Sequence, residues 1–82
     1  MPEFDETVGG FEKFMKQYVP MLTKYAKMQT DGTLMTDPAF VMQVQEYNRE
    51  FTVWSYWISM NRQSFSEEDQ AKVDQLLEPL KR

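Results

Sequence analysis

Apolar residues recur at four-three spacing in two stretches of the chain, first Phe4, Val8, Phe11, Met15, Tyr18, Leu22 and Tyr25, then Phe40, Val44, Tyr47, Phe51, Trp54 and Ile58. A repeat of about 3.5 residues keeps one helix face toward a neighbour, so each stretch predicts a helix and the pair predicts an antiparallel, left-handed hairpin. The first helix is expected over residues 3–28, with Phe14, Met21 and Met28 widening its stripe. Two features oppose it. Gly9 and Gly10 each cost about 1 kcal/mol relative to Ala inside a helix. Pro20 removes a hydrogen bond to the Lys16 carbonyl and predicts a bend or break near Val19. On the polar face the acids Glu3, Asp5, Glu6 and Glu12 precede Lys13, Lys16, Lys24 and Lys27, an order that suits the helix macrodipole.

Asp31-Gly32 marks a turn, and Leu34 and Met35 are expected to tuck onto the hairpin end. Asp37 or Thr36 as N-cap, with Pro38 at the first helical position, starts a second helix expected over residues 38–62. Its middle, residues 51–58, is rich in strand-favouring side chains. The helix reading prevails there because no partner strand is visible and the stripe continues through it without slipping. Ser66 is the N-cap of a third helix expected over residues 67–80, with Glu67, Glu68 and Asp69 in its first turn. Val73, Leu76, Leu77 and Leu80 form its apolar face, and Pro79 limits its length.

These elements predict an all-α chain: a single domain over residues 1–82 folded as an up-down-up three-helix bundle, two long antiparallel helices plus a shorter third. The hairpin register places Gly9 and Gly10 opposite Tyr56 and Trp57, Val73 level with Trp57, and Leu76 level with Trp54. Trp54 and Trp57 are therefore expected to form a structural aromatic cluster where the three helices meet. In the second half of helix two, Val53, Trp57 and Met60 widen the apolar face. That widening predicts that helix three covers the second half of helix two and the first half of helix one.

Composition narrows the chemistry. A chain of 82 residues buries only about 60% of its unfolded surface, and its two Trp, four Tyr and six Phe supply the core in large pieces. With no Cys and no His there is no disulfide, thiolate or imidazole ligand and no Cys/His or Ser/His/Asp nucleophile system. The net charge of −4 argues against a phosphate-binding surface, so no nucleic-acid partner is expected. No run of about 18 apolar residues exists, so no membrane span is expected. The acidic residues 1–6 fit no secretory signal, although a signal removed from an exported precursor would leave no trace.

Four groups of residues are candidates for function, and most have a structural explanation. The aromatic stripe reads first as core. A short third helix cannot cover the loop end of the hairpin, however, so Tyr25, Met28, Phe40 and Val44 are the candidate interaction patch, left open for a second copy or a partner helix. The seven methionines are too widely spaced for a Cu(I) site and read as core filler. Glu46 and Glu50, one turn apart, have the chemistry for a cation or for acid/base work but read as a solvated face. Lys13, Lys16 and Lys27 read the same way, with an acidic partner or anionic lipid as the functional alternative.

Phe11-Glu12-Lys13-Phe14 with Tyr18, the Asp31-Gly32 turn, and the Ser66, Asp69, Ala71, Lys72 start of helix three together resemble small helical domains of uncharacterised bacterial exported lipoproteins. The tryptophan-rich stretch and Pro20 depart from that pattern. The resemblance implies a cell-envelope location, where a cytoplasmic one would otherwise be expected, and a non-catalytic role with no transferable functional residue. The expected function is a protein-interaction domain, not an enzyme, without cofactor or metal, binding a protein partner or itself through apolar surface. The alternative is a small chaperone or inhibitor that captures a partner helix in a groove between helices one and two.

Overall fold

Thr7 starts the first helix in extended backbone, and its side-chain oxygen accepts the Gly10 N–H at 2.9 Å, the satisfaction of an orphan donor that favours Thr at an N-cap. The computed structural model describes residues 6–81. Helix α1 then runs Val8–Asp31, α2 runs Pro38–Asn61 and α3 runs Glu67–Leu77, with short 3₁₀ turns at Leu34–Thr36, Arg62–Ser64 and Glu78–Leu80. No strand occurs among the described residues, so residues 51–58 are helical in spite of their β-branched and aromatic content. The fold is the all-α, three-helix arrangement that the spacing predicts.

The first helix departs from expectation at both ends. It begins at Val8 and not near residue 3, because Thr7 offers a cap and the two glycines fall in the first turn, where little helix has to be held together on their account. Residues 3–5 lie outside the described residues. It ends at Asp31, three residues later than expected: Gly32 takes the left-handed conformation (φ 73°), donates to the Gln29 carbonyl at 3.3 Å, and Thr33 donates to the Met28 carbonyl at 2.9 Å. That pair of bonds is a Schellman closure. The helix carries no acid in its first turn and no base in its last, so the charge order read along the sequence does not bear on its ends.

Pro20 sits inside α1 without ending it. Its ring is exposed, so the unpaired carbonyl one turn back lies on the solvent side of the helix. Asp37 caps α2 by accepting the Phe40 N–H at 3.1 Å, with Pro38 at the first position, and Ser66 caps α3 by accepting the Asp69 N–H at 3.1 Å. Both boundaries stand where the sequence puts them.

The hairpin register is fixed by rings and by two tyrosine hydroxyls. Phe11 meets Trp54 at 5.6 Å between centroids, Phe14 stacks on Tyr47 at 5.6 Å, and Tyr18 stacks on Phe51 at 5.1 Å. Tyr18 Oη donates to Asn48 Oδ1 at 2.6 Å and Tyr47 Oη donates to Gln17 Oε1 at 2.9 Å. The core gathers Phe11, Phe14, Met15, Tyr18, Trp54, Ile58 and Val73, all buried. Trp54 is in that core and Trp57 stands edge-on to it at 5.5 Å, half-buried and also against Phe65 at 5.4 Å.

The third helix corrects one expectation. It packs chiefly on the first half of α1 and only lightly on α2. Val73, fully buried, is its anchor, and a Lys72–Glu12 ion pair at 2.5 Å ties it to α1. An Arg62–Asp74 ion pair closes the α2–α3 corner. Val53 and Met60 are consequently not covered by α3, and Tyr56 does not pack over the glycines of α1 but is 68% exposed. The molecule is elongated, 44 × 31 × 16 Å, with a radius of gyration of 14.3 Å where a chain of this length would ordinarily give about 12 Å.

Candidate functional site

The expected open patch at the loop end is partly closed. Phe40 and Val44 are 8% and 3% exposed, and Tyr25 and Met28 are half-buried. The short turn Leu34–Thr36 folds back against both long helices, and Lys24 lays its ammonium over the Phe40 ring at 4.5 Å, a cation–π contact that covers the face left bare by the absence of a third helix. Two helices and a turn thus bury what was expected to need three. Phe40 and Val44 are core, not interface.

The exposed apolar surface lies on the outer face of α2. Val53, Tyr56 and Met60 are each more than half exposed, as is Met42 nearer the start of the helix. Positions 53, 56 and 60 are three and four residues apart, so they form one row on the side of the helix turned away from the core residues Trp54 and Ile58. The sequence pattern shows the apolar widening at Val53 and Met60, but the face it predicts to be covered by α3 is open. What a period cannot show is which neighbour arrives at a given face.

The methionines divide the same way. Met15 is core and Met21 and Met28 are half-buried, as filler should be, but Met35, Met42 and Met60 are 63–94% exposed. Exposed thioethers are adaptable contact surface, and such surface is common where proteins bind partners. Glu46, Arg49 and Glu50 are exposed on the same outer side of α2. Neither Glu46 nor Arg49 belongs to the ion pairs formed among the described residues, which are Arg62–Asp74 and Lys72–Glu12.

One open cleft of about 430 Å³ lies between the starts of α1 and α3, lined by Glu12, Glu68, Asp69 and Lys72 among others. The Lys72 ammonium donates to Glu12 and holds its carboxyl below the ordinary value of 4.5. Partial burial pushes the other way, and the charges of Lys72 and Lys16 add to the lowering. Glu12 and Lys72 therefore satisfy each other. Glu46 and Glu50 lie elsewhere, on the solvated side of α2, and among the described residues no three Asp or Glu side chains converge as a metal-ligand group. No helix among the described residues is long and apolar enough to cross a membrane.

Comparison with protein-family models, with curated proteins and with solved structures finds no match to this chain.

Proposed function

We propose that this chain is a non-catalytic helical interaction domain that binds a protein through the outer face of α2. The observation that carries the reading is the row Val53, Tyr56 and Met60, three large apolar side chains more than half exposed on one face of a helix whose opposite face is fully used. Single exposed apolar residues are ordinary on a protein surface, whereas a contiguous row containing a tyrosine is the composition of a contact centre. The groove reading has less support, because stacked Phe14, Tyr18, Tyr47 and Phe51 rings fill the seam between α1 and α2. The likeness to exported lipoprotein domains adds the cell envelope as the place where such a partner would be met.

The test is position-specific photocrosslinking in the cell of origin. A photoreactive residue replacing Tyr56 should give discrete protein adducts, while one replacing Lys27, exposed on α1, should not. Introducing Val53→Glu alongside the Tyr56 probe should abolish those adducts. Equal labelling from both positions, or none from position 56, would overturn the proposal.

A further inference from the structure

Resting on that reading, we propose that the partner is a second copy of this chain, docked antiparallel along the outer face of α2. The outer face carries its own four-three row, Met42, Glu46, Arg49, Val53, Tyr56 and Met60, every member exposed and about 27 Å from end to end. A row at this spacing is what a helix needs to pack along another helix as a coiled coil. Here it is apolar at both ends and charged only in the middle, with one acid and one base. That arrangement decides the partner and its direction.

In a parallel pair of identical helices Glu46 would face Glu46 and Arg49 would face Arg49, which is repulsive at the centre of the contact. In an antiparallel pair centred between these two residues, Glu46 of each chain faces Arg49 of the other, forming two symmetric ion pairs. The same register sets Met42 against Val53 and Tyr56 against the small Ala39. Shifting the register so that Met42 meets Met60 would place Glu46 against Tyr56 and Arg49 against Val53, burying both charges without partners. The row is thus complementary to itself in one direction and one register, as a two-fold interface requires. An anionic membrane is a poorer match, because Arg49 is the single base of the row and Glu46 and Glu50 flank it.

A contact one helix wide lies at the low end of specific interfaces, roughly 1,000 Å² in total, so the dimer should be in exchange at micromolar concentration. Light scattering on the full chain from low to high micromolar should move the molar mass from 9.8 kDa toward twice that value. Glu46→Arg or Arg49→Glu alone should each weaken association about tenfold or more, because each converts two attractive pairs into two repulsive ones. An equimolar mixture of the two single variants should associate again, since every cross-chain pair is then opposite in sign. Circular dichroism checks that the variants keep their helices, which substitutions at two exposed sites should not disturb.

A mass fixed at 9.8 kDa throughout, or a dimer indifferent to both reversals and to their mixing, overturns this proposal. If the native chain stays monomeric while position 56 crosslinks to a different protein, the second copy is excluded and the interaction reading survives. If neither association nor crosslinking occurs, both fall.

Discussion

At the scale of single residues, the Glu12–Lys72 pair ties α3 to α1 by charge, and it carries a pH signature. The Glu12 carboxyl is held below its ordinary 4.5, chiefly by the hydrogen bond from Lys72. A carboxyl whose folded value is depressed adds stability at pH above its unfolded value and loses it as the pH falls through the folded one. Lys72→Gln should therefore lower the melting temperature at pH 7, and the gap to the native chain should close as the pH is taken down through and below 4.5. Melting curves over that range decide it. A gap that persists unchanged into strong acid would mean that Lys72 acts through its methylene packing and not through its charge.

At the scale of elements, local rules account for most of what was legible in the sequence, and Pro20 is their sharpest test. A proline inside a helix costs about 3 kcal/mol against alanine, offset by up to about 1 kcal/mol because it also restricts the unfolded chain. With the ring exposed and α1 continuous through it, nothing in the packing requires it. Pro20→Ala should raise stability by about 2 kcal/mol, seen as a higher urea midpoint at unchanged slope. A loss of stability would show that the hairpin needs the local geometry Pro20 imposes. The caps Asp37 and Ser66 and the stripe facing the hairpin seam were readable because each depends on residues within one or two turns of chain. The start of α1 at Thr7 was missed because the stripe continues in register through Gly9 and Gly10, and period alone carries no information about where a cap competes with it. The docking of α3 was legible in part: its seat on the first half of α1 is as expected, while its cover over the second half of α2 is not met, for a different reason. Val53 and Met60 announce an apolar face, but whether α3 or solvent meets it depends on the corner at Arg62–Ser64, and one turn there rotates the whole helix onto α1.

At the scale of the whole molecule, the elongated shape divides the core into two unequal ends. One end has three helices around Phe11, Met15, Trp54, Ile58 and Val73, while the other has two helices, a folded-back turn and the Lys24 ammonium over Phe40. Total stability for a chain this size is about 4 to 12 kcal/mol, so a buried methyl pair at either end is a measurable fraction of it. The cost of deleting one depends on how completely the surroundings enclose the gap, because an enclosed cavity stays empty while an edge site relaxes or admits water. Val73, fully buried, sits at the three-helix end, and Val44, 3% exposed, sits at the two-helix end. The same substitution to alanine should therefore cost more at Val73, about 2 to 3 kcal/mol, than at Val44, about 1 to 2 kcal/mol, in matched urea titrations. The reverse order would place the stable nucleus at the loop end. Helix α3 would then be a peripheral addition to a self-sufficient hairpin, and the bareness of the outer face of α2 would no longer follow from where α3 had to go to complete the core.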